Sequence, residues 1–534
     1  MNQEHPFQGR TVAVIEDLNR QERMYLYDQT RRLKEALHTN NTGVVDQFRI
    51  DDQDFGIYEV FLEDSTRTRE SFKNAAHFHR AKFSEFFAAS SSFNKSESYS
   101  DTFANLSGYQ NQIFIVRSNL EGVCRYLEEA TEQYRQRNHL PNRVSFINAG
   151  DGRHEHPTQE LLDEFTFLED LNWSAEHIHL ALVGDLYHGR TVHSKVHGLN
   201  LFKTVTVDLI APEELSMPQQ YQQQMMDQGF TVRQFSSIEE YLANPAGVAG
   251  QWYFTRPQIE RMGERVRRRE EELRRAITFE PVFMDNLPGH TTFYHPLPRH
   301  REHPTIPTAL DSTPLNGWER QSANGYLVRI VLLAMLAGKI GSDYHGPRGT
   351  EETEPEECLE YCAIDRTSPH TQERQYSEGI RPIRDGLVID HICAGDTPEE
   401  IRSHLATLIS VMALHGRGGE WVSTGSDSSY KGILFRPDHP TPDESMLRKL
   451  AAVVPGATVN VIAQGSVQQK IRVHSPERIQ DLPELICRNP ACITHPDNRE
   501  HIIPRFRRSF GLHHRKGYVC EYCSTFHTFQ EIWR

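Results

Sequence analysis

Through residue 340, short runs of β-branched and aromatic residues alternate with longer stretches in which apolar positions recur every three or four residues. Val144 to Ile147 ends just before Gly150, and Ile178 to Val183 ends at Gly184. The short runs predict strands and the longer period predicts amphipathic helices; their alternation predicts an α/β fold on mostly parallel sheets. The most apolar stretch, Tyr326 to Gly338, is shorter than the roughly 20 residues that span a bilayer and carries Arg329, so it reads as a buried helix. Between Gly341 and Ser377 the pattern stops. Gly, Pro and an acidic run (Glu351, Glu352, Glu354, Glu356, Glu357) predict a solvated linker over 341–378, in which Cys358 and Cys362 have no second thiol pair nearby and are expected as free thiols. Beyond it, Leu387 to Ile392 and Thr458 to Ile462 read as buried strands with a helical pattern at Thr397 to His415 between them, an α+β module. A cysteine-bounded segment from Cys487 to Cys523 makes a last unit.

Length and composition sharpen this outline. A chain of 534 residues exceeds what one hydrophobic core organises and implies roughly three to four domains. With 37% hydrophobic and 25% charged residues it falls in the globular range. A net charge of −15 argues against wrapping nucleic acid or an anionic membrane, so any phosphate site must be focal. Met1 to Arg10 is polar and lacks the apolar run of a signal peptide; with eight cysteines and no secretion signal, a reducing, cytoplasmic setting is expected, where clustered thiols hold metal. The 28 histidines are scattered and by themselves indicate no metal site.

The candidate chemistry begins where an apolar run, Val60 to Leu62, passes through Glu63 and Asp64 into Ser65-Thr66-Arg67-Thr68-Arg69, the start of a helix whose apolar face is expected to continue through Phe72, Ala75, Ala76 and Phe83. A helix N-terminus offers unpaired N–H donors, and a guanidinium adds a bidentate grip on phosphate oxygens. The same residues also suit a plain capping sequence with a surface charge pair. Further polar groups follow strands, where open α/β sheets bind ligands: Arg117; Gly150-Asp151-Gly152 and His156-Pro157-Thr158-Gln159; Arg190; Thr255-Arg256-Pro257-Gln258; and His295-Pro296-Leu297-Pro298-Arg299. Together, four arginines, a histidine and two glutamines at strand ends describe a site for substrates rich in phosphate and carboxylate.

Near the C-terminus, Cys487-x4-Cys492 and Cys520-x2-Cys523 have the spacing of a closed, structural Zn2+ site. Between the pairs lie Arg505, Arg507, Arg508, Arg515 and Lys516 with Phe506 and Phe510, a composition open to either protein docking or nucleic-acid binding.

On these motifs, residues 1 to about 340 resemble the catalytic chain of aspartate carbamoyltransferase, and residues about 379 to 534 resemble its regulatory chain. The segments Ser65–Arg69, Gly150–Gln159, Val183–Ser194, Thr255–Arg261 and His295–Arg299 follow that family's order. Ornithine carbamoyltransferase shares the first turn but typically carries His-Cys-Leu-Pro in the late loop, where this chain has His295-Pro296-Leu297-Pro298. The resemblance implies two parallel-sheet α/β catalytic domains, an α+β ferredoxin-like regulatory module and a small zinc-binding β domain. They divide as a carbamoyl-phosphate-binding domain (1–157 plus 319–340), an aspartate-binding domain (158–318), an allosteric domain (379–480) and a zinc domain (481–534).

It further implies carbamoyl transfer from carbamoyl phosphate to L-aspartate in pyrimidine biosynthesis, without organic cofactor, nucleic acid or membrane. Ser65, Thr66, Arg67 and Thr68 then hold phosphate, while Thr68, Arg117 and His156 face the carbonyl oxygen. Gln159 and the carbonyls of Pro296 and Leu297 take the carbamoyl NH2, and Arg190, Arg256 and Gln258 bind the aspartate carboxylates. The loop Ser90–Asp101 resembles one that lends Ser91 and Lys95 to the neighbouring subunit's site, implying a homo-oligomer built on trimers; Ser96 stands where the family pattern has a glycine. Asp390 and Lys470 match nucleotide-contacting positions, and Lys431 is retained while the following lysine of the pattern is not. The module is therefore either a CTP- or ATP-binding unit or an architectural one. A catalytically silent nucleotide-sensing scaffold is the remaining alternative, and it would lack a phosphate ligand or oxyanion donor that is present here.

Overall fold

The computed structural model describes residues 5–87, 97–141, 143–244, 247–258, 268–349, 357–364, 383–395, 397–424, 430–500, 502–511 and 516–534. The chain forms two compact units, Met1–Glu351 and Glu352–Arg534. Among the described residues, no helix is long and apolar enough to cross a membrane.

The first unit carries two parallel sheets. One has strands β1 (Gly56–Phe61), β2 (Lys82–Phe86), β3 (Asn111–Ser118) and β4 (Ser145–Asp151) in the order β2-β1-β3-β4. The other has β5 (His177–Val183), β6 (Thr204–Ile210), β7 (Thr231–Phe235), β8 (Gln251–Phe254) and β9 (Thr292–Tyr294) in the order β7-β6-β5-β8-β9. Central strands of parallel sheets are covered on both faces, which is why Ile113 to Val116 and Leu180 to Val183 are continuous apolar runs, all buried.

Register carries the strand ends to common levels. Phe61 pairs with Arg117 and Ser118 with Asp151, so the segments leaving β1, β3 and β4 emerge side by side. Val183 pairs with Phe254 and Tyr253 with Tyr294, which groups the segments leaving β5, β8 and β9. The helix Pro157–Asp170 begins at the boundary expected between the two catalytic domains, and it packs on both β4 and the helix Lys195–Gly198 that follows β5. The apolar stretch near the end of this unit is the helix Trp318–Leu336, which packs against Thr66–Phe78, Pro157–Asp170 and Arg20–His38. It is buried on nearly all sides, as its sequence predicts.

The second unit has an antiparallel sheet of β10 (Leu359–Tyr361), β11 (Gly386–Gly395), β12 (Gly419–Thr424), β13 (Tyr430–Pro437), β14 (Thr458–Ala463) and β15 (Ser466–Val473), ordered β10-β15-β14-β11-β13-β12. With helices Pro398–Val411 and Glu444–Val453, β11 to β14 follow the βαββαβ order of a ferredoxin-like module. The segment expected as an unbroken linker thus contributes a strand: Leu359 to Tyr361 pairs with Ile471 to Val473, and Cys358 is buried beside it. The acidic run hid this strand because only three residues pair. A four-stranded antiparallel sheet of β16 (Arg478–Ile479), β17 (Phe506–Phe510), β18 (Lys516–Cys520) and β19 (Phe526–His527) completes the chain.

Candidate active site

The segments leaving β1, β3, β4, β5, β8 and β9 surround one cavity of about 610 Å³ in the first unit. Ser65, Thr66, Arg67, Thr68, Arg117, His156, Gln159, Arg190, Arg256, Gln258, Pro296 and Leu297 all line it. Ser91, Lys95 and Arg261 lie outside the described residues.

Ser65 is the N-cap of Thr66–Phe78, yet its side chain makes no capping bond. The first-turn N–H donors therefore lack the partner that the plain capping reading requires, and they remain available to an anion. Arg67 lines the same cavity, and Thr68 is buried there.

Arg117, next to last in β3, has Nη1 donating to the Ala149 carbonyl at 2.9 Å and Nη2 3.1 Å from Glu63 Oε2. Burial, with the Arg190 cation beside it, lowers its pKa to about 10, so it stays charged at neutral pH. Arg190 donates to the Gly152 carbonyl at 3.0 Å and lies 3.3 Å from the same Glu63 oxygen. The backbone allows this crowding because Gly150 adopts φ +115°. A Cβ there lies 2.8 Å from Arg117 Nη1 and 3.1 Å from Arg190 Cζ.

His156 is the N-cap of Pro157–Asp170 and is buried. Burial first, then the Arg190 and Arg117 cations, hold its pKa well below the usual imidazole value, so the ring is neutral. Gln159 Nε2 donates to Asp163 Oδ1 at 2.9 Å, which leaves its carbonyl oxygen as the group available to a ligand. The Gln258 backbone N–H donates to Asp185 at 2.9 Å, tying the 255–258 segment to the turn after β5. In the late loop, Leu297 N–H donates to His295 Nδ1 at 2.7 Å, and burial pushes the His295 pKa down to about 3.

Arg299 closes the late-loop motif but was given no role in the site. It is not a lining residue; it forms a two-pronged ion pair with Asp311 at 2.6 and 3.0 Å and sits over the Trp318 ring. Its position after a strand end was the whole of its signal, and an acidic partner 12 residues on takes its charge.

Glu63, Arg329 and Gln321 are among the lining groups that went unassigned in the sequence. Glu63 is a carboxylate standing between Arg117 and Arg190, adjacent to a motif that was read only from Ser65 onward. Arg329 reaches the cavity from the apolar helix and donates to Ser71 Oγ at 2.8 Å; in sequence it looked like a lone charge in a buried run. Gln321 accepts from the His295 N–H at 2.9 Å, with no local signal at all.

In the second unit, Cys487, Cys492, Cys520 and Cys523 are buried with their sulfurs all within 4.8 Å of one another. Cys487 and Cys523 are 3.7 Å apart and Cys492 and Cys520 are 3.9 Å apart. Those separations exceed a disulfide bond and match the edge, about 3.8 Å, of a tetrahedron with Zn–S bonds of about 2.3 Å. Four thiolates leave no open position, so the residues fit a structural Zn2+. On the sheet, Asp390 lies 3.5 Å from Lys431 and 3.2 Å from His391. Val388, Asn460 and Lys470 are register neighbours across β11, β14 and β15, so Lys470 shares the face that Asp390 occupies.

Comparison with known proteins places these features. The family model for the aspartate/ornithine carbamoyltransferase carbamoyl-P binding domain matches residues 10–169. Those for the aspartate carbamoyltransferase regulatory chain match 378–474 (allosteric domain) and 477–533 (metal binding domain). Protein PyrBI of Treponema denticola is 57% identical over 99% of both chains, and Protein PyrBI of Thermotoga maritima is 48% identical over 99% of both. Among solved structures, aspartate transcarbamoylase of Trypanosoma cruzi in complex with carbamoyl phosphate has a TM-score of 0.52 at 27% identity, covering 62% of this chain and 96% of that one. The catalytic subunit of M. jannaschii aspartate transcarbamoylase also has a TM-score of 0.52, at 29% identity, covering 61% of this chain and 97% of that one. A cavity built from strand-end arginines, a buried four-cysteine centre and relatives matched from end to end lead to one assignment: the chain belongs to the aspartate carbamoyltransferase family, as a catalytic chain and a regulatory chain in a single polypeptide.

Proposed function

We propose that the first unit transfers the carbamoyl group of carbamoyl phosphate to the α-amine of L-aspartate, giving N-carbamoyl-L-aspartate and phosphate, an early committed step of de novo pyrimidine synthesis. The observation that carries this reading is the convergence of a helix N-terminus, three strand-end arginines and a neutral histidine on one cavity. Ser65 to Thr68 hold the phosphate. Thr68, Arg117 and His156 donate to the carbonyl oxygen, where negative charge grows as the amine attacks. Each such donor is worth about 3 to 4 kcal/mol in comparable sites. Gln159 and the carbonyls of Pro296 and Leu297 accept from the carbamoyl NH2, and Arg190, Arg256 and Gln258 bind the two carboxylates. Because Glu63 occupies the space between Arg117 and Arg190, it withdraws from at least one of them when substrate anions arrive. The departing phosphate takes the amine proton, since the assigned residues include no carboxylate base; an essential side-chain pKa in the pH–rate profile that maps to an unassigned group refutes this step.

The site is completed by Ser91 and Lys95 of a neighbouring subunit, in an assembly based on trimers. Mixing inactive Lys95→Ala and Arg67→Ala chains restores part of the activity if sites are shared, and no recovery in verified mixed oligomers refutes sharing. The face bearing Asp390, Lys431 and Lys470 supports CTP or ATP binding by the allosteric module. Four thiols gathered as metal ligands support a reducing, cytoplasmic setting. The deciding experiment is a colorimetric assay for carbamoyl-aspartate against carbamoyl-ornithine; failure to form the former from carbamoyl phosphate and aspartate refutes the reading.

A further inference from the structure

Behind the cavity wall lies a group of charges with no direct access to substrate. Lys195 Nζ is 2.8 Å from Glu160 Oε2 and 2.8 Å from Asp163 Oδ2, and all three side chains are wholly buried. The other oxygen of Asp163 accepts two carboxamides, Gln159 Nε2 at 2.9 Å and Gln321 Nε2 at 2.6 Å. A carboxylate accepts hydrogen bonds and donates none, so each glutamine is obliged to turn its NH2 inward and its oxygen outward. For Gln159, which lines the cavity, this leaves the oxygen as the group available to a ligand. For Gln321 it accepts the His295 N–H at 2.9 Å, and His295 Nδ1 in turn accepts the Leu297 N–H at 2.7 Å.

We propose that Asp163 is a positioning residue for the recognition of the carbamoyl NH2, acting through two arms: one sets the amide orientation of Gln159, and the other, through Gln321 and His295, holds the loop that presents the Pro296 and Leu297 carbonyls. One oxygen atom thereby sets both groups of acceptors. Lys195 fills the remaining side of the carboxylate, so that Asp163 Oδ1 is left to the glutamines. The ammonium also lies 4.1 Å from the Tyr253 ring centroid. The two carbamoyl N–H groups are what separate carbamoyl phosphate from acetyl phosphate, which has a methyl group there. Asp163 is accordingly a determinant of that discrimination, although it touches neither molecule.

This inference rests on the acceptor roles proposed for Gln159, Pro296 and Leu297, and the test separates the two. Two full-chain variants in one background differ only in whether position 163 offers an acceptor: Asp163→Asn with Lys195→Met, and Asp163→Leu with Lys195→Met. Removing Lys195 together with the carboxylate avoids leaving its ammonium unpaired, buried Arg329 loses the Asp163 charge equally in both variants, and Glu160, without the cation that lowers its pKa, takes up a proton. In the Asn variant the amide oxygen again accepts from both glutamines. In the Leu variant nothing does.

The readouts are the affinities for carbamoyl phosphate and for acetyl phosphate as a competitor, with thermal unfolding as the check on folding. The Asn variant is expected to keep the wild-type preference for carbamoyl phosphate, and the Leu variant to lose about tenfold of it through weaker carbamoyl phosphate binding, with acetyl phosphate little changed. Gln321→Leu in the native background leaves every buried charge in place and cuts one arm only, with an expected loss of about threefold. Equal preference in the Asn and Leu variants, or losses identical for both phosphates, overturns the inference. A wild-type enzyme with no preference overturns the acceptor assignment and the inference with it.

Discussion

Replacing Gly150 with alanine adds one methyl group where two site arginines converge. At φ +115° a non-glycine residue costs about 1 to 3 kcal/mol. The new Cβ stands 2.8 Å from Arg117 Nη1, about 0.6 Å inside ordinary van der Waals contact, and 3.1 Å from Arg190 Cζ. Neither guanidinium has an easy retreat: Arg117 is bound to the Ala149 carbonyl at 2.9 Å and Arg190 to the Gly152 carbonyl at 3.0 Å. The strain is therefore relieved by moving the donor that faces the reacting carbonyl. Displacing one such donor costs roughly 100- to 1,000-fold in kcat. Because Arg190 is assigned to a carboxylate of aspartate, the KM for aspartate also rises. Steady-state formation of carbamoyl-aspartate, with thermal unfolding measured in parallel, tests both effects. A folded Gly150→Ala enzyme with kcat within about twofold of the parent refutes the placement of Arg117 at the developing charge.

Three further outcomes are expected. His156→Gln lowers kcat by roughly 100-fold. Since burial and three arginines hold the imidazole neutral until well below pH 6.5, its loss leaves the shape of the pH–rate profile between about pH 6 and 8 unchanged; disappearance of a limb near 6.5 refutes neutral donation. The purified chain carries about one zinc per polypeptide by atomic absorption, and Cys520→Ser releases it and leaves the segment 477–533 open to limited proteolysis; a protected segment after metal loss refutes a folding role for zinc. Calorimetric titration with CTP, UTP and ATP detects binding that Lys431→Ala weakens about tenfold; no heat with any of the three leaves the module architectural.

The central strands β1, β3, β4 and β5 and the helix that holds Arg329 were legible from sequence as apolar runs; β2 was not, since Phe83, expected on the apolar face of the helix after Ser65, lies in the strand Lys82–Phe86 beyond that helix's end at Phe78. The phosphate turn was legible because its chemistry is contiguous, from Ser65 to Thr68. What was not legible depends on partners distant along the chain. Arg299 carried the same local signal as Arg117, and the difference lies in Asp311. Gln321 joins the site from a helix about 160 residues beyond Asp163, and no local pattern announces a hydrogen bond of that range. The strand β10 was missed because an edge strand of three residues has no period to detect.

That short strand bears on how the polypeptide can be divided. By pairing with Ile471 to Val473 it covers the β15 edge of the other five strands, where unpaired N–H and C=O groups otherwise invite another chain. Residues 359 to 361 are thus part of the regulatory fold rather than of the tether that precedes it. A two-chain version of this enzyme remains well behaved when it is cut ahead of Cys358. Cut after Tyr361, the regulatory fragment leaves β15 as a bare edge and assembles edge to edge.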